Sequence, residues 1–454
     1  MANSRKQVNL VEHLVADIVA LLGQHAVHGR HLALGLSGGM DSCVLLDLLV
    51  QAKLHIEFRL STIHVNHQIS PNADAWERFC AELSLHYRIP FTAIKVNVPR
   101  NSGLGLEAAA REARYQALLE FDCDMIALAH HQDDQAETFL LQLLRGAGIN
   151  GLSAMPVFRF GPRHEHILRP LLDTPRSHVL QYAQAQKLQW VEDESNTNLH
   201  FDRNFLRQQI LPELAKRFPG YRATLARTAE HIASAATLLE QLAADDARQA
   251  VNANNSRQLD INVLRTFSSE RAANLMRWWI RKETSLILST SRLQNIIRQL
   301  CDAKANARVA CKLGQATLRR YRDQAYLDFA MDIQPYSMQW NGEPSLQLPD
   351  GNHLHFKHVI GEGIAISRIK GALHITNRKE SGFLRLSDKR PKRSLKNLWQ
   401  EAGIPPWERD RTPLIWHGNE LVAIPGLAID WEWRAHTEER GLLIVMASKG
   451  NGGT

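Results

Sequence analysis

Between residues 31 and 145 the chain alternates between two textures. Four short apolar runs, HLALGL, FRLSTIHVNH, FTAIKVNV and CDMIALAH, are each followed by a stretch whose apolar residues recur at helical spacing. That spacing predicts helices over 41–53, 73–88, 106–121 and 133–145. Strand–helix repetition of this kind predicts an α/β fold, a parallel sheet doubly wound by helices, Rossmann-like, with ligands at the carboxyl ends of its strands. Ahead of it, Val8, Val11, Leu14, Val15, Ile18 and Leu22 share one face of an amphipathic first helix. Thr174-Pro175 predicts an N-cap with proline at the first helical position, opening a helix to about residue 187. The polar stretch VEDESNTNLHFDRN follows, then a helical run from residue 205 that Pro219-Gly220 ends.

Residues 221–330 read as mostly helical, with long periodic runs over 221–251, 268–284 and 291–301. From about residue 333 short β-like runs with turn residues take over, as in PDGNHLHF and GNELVAIPG. Three domains are expected: a catalytic domain over 1–218, a helical domain over 219–332 and a small α/β domain over 333–454.

Composition narrows the setting. No run of 18 apolar residues occurs, so no membrane-spanning helix is expected, and Glu12 and Asp17 break the apolar stretch that a signal peptide would need. The five cysteines form no CxxC pair, which suits a reducing cytoplasm and argues against a zinc or iron–sulfur site. The net charge is +7, and its excess is local. Residues 368–411 hold 12 Lys+Arg against 5 Asp+Glu, while the remainder balances at 42 of each. Within KRPKRSLK, Lys389, Arg390, Lys392, Arg393 and Lys396 are candidates for contact with a phosphate-rich partner.

Three strings carry chemistry. The first strand runs into Ser37-Gly38-Gly39-Met40-Asp41-Ser42, where a helix begins. Two glycines let backbone N–H groups approach an anion, two serines add donors, and the helix start favours negative charge. A second string, HHQDDQAET, places His130, His131, Asp133, Asp134 and Glu137 after another strand. Asp134 with Glu137 also reads as a plain helix capping box. Its place at a strand's carboxyl end favours a functional reading. Third, Arg111 and Arg114 lie three apart on one helix face. They are either solvated or aimed at the crevice, where they would stabilise charge on a departing pyrophosphate.

The SGGMDS loop resembles the PP-loop of the N-type ATP pyrophosphatases, and it lacks the lysine of a Walker-type loop. The resemblance implies α–β cleavage of ATP, with Asp41 and Asp133 as Mg²⁺ ligands. Further strings are HVNH, EAAAREARY, HHQDDQAETFLLQLLRGAGINGL, RPLL, DESNTNLHFDRNFLR, SLKNLWQEAGIPPWERDRTPLI and ELVAIPGLAID. Together they resemble the tRNA(Ile)-lysidine synthetase family over most of 30–215 and again over about 385–430. That resemblance implies adenylation of the wobble cytidine in the CAU anticodon of tRNA(Ile), then attack by free L-lysine with release of AMP. It also nominates His130, His131, Asp133, Asp134 and Glu137 to orient the lysine or take its proton, and Arg203 and Arg207 for RNA contact. Self-association as a homodimer is left open.

Two rival readings stand beside it. A PP-loop tRNA thiolase would share the loop but rely on cysteines, and Cys43 sits inside the first helix after the loop. A non-catalytic RNA-binding protein would have no use for an intact Ser37, Gly38, Gly39, Asp41 and Ser42.

Overall fold

A computed structural model describes residues 2–99, 106–160, 166–194, 198–304, 309–329, 334–377 and 382–447. The chain forms two compact units, Met1–Leu242 and Ala243–Thr454.

The first unit is built on a six-stranded sheet in the order β3-β2-β1-β4-β6-β5. Its strands are β1 (His31–Gly35), β2 (Arg59–Asn66), β3 (Phe91–Lys95), β4 (Met125–Ala127), β5 (Phe158–Arg159) and β6 (His166–Leu168). All neighbours are parallel except the edge pair β5 and β6. Leu32, Ala33 and Leu34 are completely buried, as expected of a strand covered on both faces. The helices are α1 (Ala2–Gln24), α2 (Met40–Ala52), α3 (Ala73–His86), α4 (Leu106–Leu119), α5 (Gln132–Leu144), α6 (Ile149–Leu152) and α7 (Arg176–Ala185). The chain winds outward from β1 through β2 to β3, then returns to β4 on the other side of β1. That reversal opens a crevice at the carboxyl ends of β1 and β4.

The four predicted βα helices agree with the observed ones to within two residues at each end. Pro175 itself holds the N-cap position of α7, with no side-chain cap, so Thr174 does not cap that helix. After the polar stretch come α8 (Asp202–Phe205), one π-helical turn over Leu206–Ile210 and α9 (Leu211–Arg217). The long α10 (Tyr221–Ala250) follows.

The second unit departs from the helical texture expected over 221–330. Besides α11 (Ile261–Thr266), α12 (Ser269–Thr284) and α13 (Thr290–Asp302), it holds a five-stranded antiparallel sheet within residues 251–328. Leu259, Leu313, Leu318 and Ala325 from the sheet pack with Leu275, Trp279, Leu293 and Ile296 from the helices. The region from residue 334 forms two further antiparallel sheets, of five and four strands, around Leu354, Ile375, Ile415 and Leu442. Among the described residues, no helix is long and apolar enough to cross a membrane.

One buried carboxylate braces α2 from behind. Asp47 accepts hydrogen bonds from Tyr87 at 2.8 Å and from the fully buried Tyr182 of α7 at 2.5 Å. Tyr182→Phe should destabilise the protein by about 1–3 kcal/mol, because Asp47 loses a partner that water cannot replace. An unchanged midpoint in urea unfolding would show that the brace carries no weight.

Candidate active site

The loop after β1 is shaped by its glycines. Gly38 has φ +86°, and a Cβ there would lie 2.9 Å from Val191 and 3.2 Å from the Cys80 sulfur. Val191 N–H donates to the Gly38 carbonyl at 2.9 Å, tying the loop to the strand of chain that precedes the ESN motif. Gly39 is the N-cap of α2 and supplies no side-chain cap, so the first N–H groups of that helix remain available to an anion. Ser42 Oγ donates to the Gly39 carbonyl at 2.9 Å and lies 3.1 Å from Ser37 Oγ.

Ser37, Gly39, Asp41 and Ser42 line a cleft of about 860 Å³. The same cleft is lined by His130 and Asp134 at the start of α5, by Arg111 and Arg114 of α4, and by Arg203 and Arg207. Residues far apart in sequence thus meet at the switch point. His64, Asn66, His67 and Asn198 also line it. The HVNH and ESNTN strings contained these four, but nothing in their local spacing marked them as site residues.

The start of α5 is fixed by a capping box, though not between Asp134 and Glu137. His131 is the N-cap: its Nδ1 accepts from Asp134 N–H, and the Asp134 carboxylate accepts from His131 N–H at 3.0 Å. The other ring nitrogen of His131 lies 3.6 Å from the Asp41 carboxylate. Burial opposes charging this ring, but Asp41 and then Asp134 outweigh it and hold its pKa above the ordinary value.

Asp134 and Glu137 are buried and doubly paired. Arg203 Nε donates to Glu137 at 2.8 Å and Arg207 Nε at 2.6 Å, while both arginines reach Asp134 Oδ1 at 2.9 and 3.2 Å. Four residues apart, the two arginines come from α8 and the π turn. Nominated for RNA, they are instead turned onto these carboxylates. Burial would raise the Asp134 pKa, but His131 and Arg203 reverse this and bring it to about 2. Asp133 faces elsewhere. It pairs with Arg222 of α10, accepts from Arg176 N–H at 3.1 Å and does not line the cleft.

Among the described residues, three side-chain atoms of the cleft are buried without a partner: Asp41 Oδ1, His67 Nδ1 and His130 Nδ1. Among the described residues no group of three or more His, Cys, Asp and Glu side chains gathers as a metal site. Asp41, with its free oxygen beside the anion loop, nonetheless fits a Mg²⁺ that draws its other ligands from phosphates and water. In the second unit, Lys389, Arg390, Lys392 and Lys396 are exposed, and none forms an ion pair among the described residues. Arg393 is half-buried and paired with Glu401.

Burial, with the nearby Arg114 charge, lowers the His67 pKa to about 4, and burial is the main cause that brings His130 to about 3. The unfolded chain therefore binds more protons than the native state from the free imidazole value of ~6.5 down to about 4. Stability is complete above that window and declines as the pH falls through it. His130→Gln should flatten the decline between pH 6.5 and 5 by about 1–2 kcal/mol, allowing for partial exposure of the ring. Urea unfolding at stepped pH would measure it, and an identical slope in the variant would contradict the assignment of a neutral ring.

Comparison with known proteins covers both units. Residues 10–214 match the PP-loop domain, 259–326 the TilS substrate binding domain and 373–446 the TilS substrate C-terminal domain. The tRNA(Ile)-lysidine synthase of Nitrosomonas europaea is 38% identical over 426 residues, which is 92% of each chain. That of Aromatoleum aromaticum is 39% identical and covers 92% of this chain and 97% of its own. That of Serratia proteamaculans is 37% identical and covers 94% and 99%. With three domain matches in order and relatives aligned over nine-tenths of both chains, this chain belongs to the tRNA(Ile)-lysidine synthase family.

Proposed function

We propose that the cleft ligates free L-lysine to the wobble cytidine of a CAU-anticodon tRNA(Ile) by way of an adenylated cytidine. The observation that carries this reading is one continuous chain of contacts, from Asp41 beside the anion loop through His131 to Asp134 and the Arg203/Arg207 pair. It supports the reading by bringing the glycine-rich loop and the low-pKa carboxylate of Asp134 to the same cleft.

In the first step the cytidine ring oxygen attacks the α-phosphorus of ATP. The α–β bridging bond breaks and pyrophosphate leaves. The N–H groups at the start of α2 and the Ser37 and Ser42 hydroxyls hold the phosphates. Asp41 is the side chain that would hold Mg²⁺, which when bound offsets phosphate charge. In the second step the lysine ε-amine attacks the ring carbon. The carbon–oxygen bond breaks, AMP leaves with the oxygen, and the amine gives up its protons.

The amine is the difficult reactant. At a reference pKa of ~10.4, only roughly one in a few thousand is free at pH 7, a handicap of about 4.6 kcal/mol. Asp134, with its pKa near 2, is too weak a base to remove that proton. Its part is to stay ionised and orient the ammonium, while Glu137, which does not line the cleft, holds Arg203 and Arg207 in place. The His130 ring lines the same cleft, and as a neutral imidazole it can accept a hydrogen bond from the amine. Asp133, bound to Arg222, stabilises the start of α5 rather than touching substrate.

The thiolase alternative is disfavoured by the cysteines themselves. Cys43 and Cys80 are buried, and burial pushes the Cys43 thiol up to about 12, far from the thiolate that sulfur chemistry uses. A binding-only role leaves the glycine-dependent turn at Gly38 and the unpartnered Asp41 oxygen unexplained.

Asp41→Ala should abolish AMP and pyrophosphate formation while tRNA affinity stays within a few-fold of the parent. Parallel loss of both would count against its role at the phosphates. Neutralising Lys389, Arg390, Lys392 and Lys396 together should weaken tRNA binding and reduce its salt dependence by several counterions. An unchanged slope would place the RNA contact elsewhere. In the parent protein, labelled lysine should enter alkali-stable RNA only with ATP and the CAU anticodon. AMP without labelled RNA would keep the adenylation and discard lysine as the nucleophile.

A further inference from the structure

Four guanidiniums converge on one phenol at the side of the cleft. Arg111 and Arg114 of α4 lie 5.1 and 5.8 Å from the centre of the Tyr115 ring, and Arg159 of β5 lies at 5.9 Å. Arg169, just beyond β6, hydrogen-bonds the Tyr115 hydroxyl and donates to the Pro156 carbonyl at 2.7 Å. It is 3% exposed, yet its Nε has no partner. Among the described residues no carboxylate pairs with any of the four. Other arginines of this unit are treated differently: Arg203 and Arg207 share two carboxylates, and Arg222 has Asp133. Asp134 is the one carboxylate among the leading charges felt by Arg114, and it is already shared by Arg203 and Arg207. Like charges gathered at this spacing repel one another, and the repulsion is relieved when an anion arrives.

The strand order says which anion. Arg159 and Arg169 belong to strands three and two positions from β1, whose end carries the phosphate loop. At ~4.8 Å per strand that puts their backbone about 10–14 Å to the side of the loop. An anion there is separate from phosphates seated at Ser37–Ser42. Arg111 and Arg114 nevertheless line the same cleft, so the cluster opens toward the reacting position. A polymer with regularly spaced phosphates spans such a distance.

We propose that Arg111, Arg114, Arg159 and Arg169 form a second anion subsite that takes a phosphodiester of the RNA strand next to the reacting nucleotide, with Tyr115 as the plate that spaces the guanidiniums. The RNA identity of that strand rests on the function proposed above. Planar guanidiniums match phosphate oxygens in pairs, which lysines could not do. The subsite would fix where the strand enters, leaving the loop to deal with ATP.

Arg159 is the member to test, because it is exposed, lies on an edge strand and has no ion pair to lose among the described residues. Binding of a CAU anticodon stem-loop RNA would be measured from 50 to 300 mM salt, alongside ATP affinity of the same protein. Arg159→Gln should weaken RNA binding about 5–10-fold at low salt and lower the log–log salt slope by about 0.7–0.9, the loss of one phosphate contact. ATP affinity should stay within twofold, and the ligation reaction should show a raised KM for RNA with kcat little changed. Arg159→Lys should recover the slope but only part of the affinity. Tyr115→Phe should cost less than Tyr115→Leu. A slope identical to the parent's, or a loss of ATP affinity equal to that of RNA, would overturn the subsite. If the parent protein neither binds nor modifies the RNA, the proposed function fails instead, which is a separate result.

Discussion

The site depends on pairing two buried carboxylates where water is scarce. Asp134 and Glu137 sit on the first turns of α5 with little exposure, and burying charge without a partner is costly. Arg203 and Arg207 pair with both, and with His131 they hold the Asp134 carboxyl well below its usual range. Removing either partner set would leave uncompensated buried charge, which is typically worth about 3–5 kcal/mol. The same contacts dock residues 202–210 onto the sheet domain and hold α5 in place. The capping histidine, set by that helix, then touches Asp41 at the phosphate loop. Disturbing the ion set would therefore be felt at the loop without any direct contact between them.

This arrangement separates tasks that a single group could not perform. A group ionised strongly enough to attract an ammonium is too weak a base to deprotonate it. In the proposed reading the ATP phosphates meet backbone N–H groups and hydroxyls at the loop, which carry no net charge and need no counterion. The second unit contributes exposed basic residues, Lys389, Arg390, Lys392 and Lys396, that form no ion pair among the described residues. Binding of a large polyanion and chemistry on one of its bases can thus be tuned independently.

Much of this was legible in the sequence. Short, mostly apolar runs marked the parallel strands, the SGGMDS string marked a candidate anion loop, and HHQDDQAE stood at the end of a strand facing the same crevice. The sheet within 251–328 was hidden because its strands are short, and Val251–Asn252 and Ala310–Leu313 show no clean alternation of buried and exposed positions. The histidine cap was hidden because Asp134 has an acid three residues on, which is the usual capping-box spacing. Arg203 and Arg207 sit about 70 residues from their partners, and a π turn sets their geometry. Local periodicity carries no information about either feature. The arginines around Tyr115 were half visible, since α4 supplies two at helical spacing while the others arrive from the far edge of the sheet.

The central claim is that the cytidine ring oxygen is adenylated in this cleft and leaves with AMP. Anticodon stem-loop RNA carrying ¹⁸O at the wobble cytidine carbonyl would be turned over with ATP and lysine, and the released AMP analysed by mass. One ¹⁸O per AMP is expected, in step with each lysine incorporated. Unlabelled AMP with the isotope retained in the RNA or lost to water would contradict it.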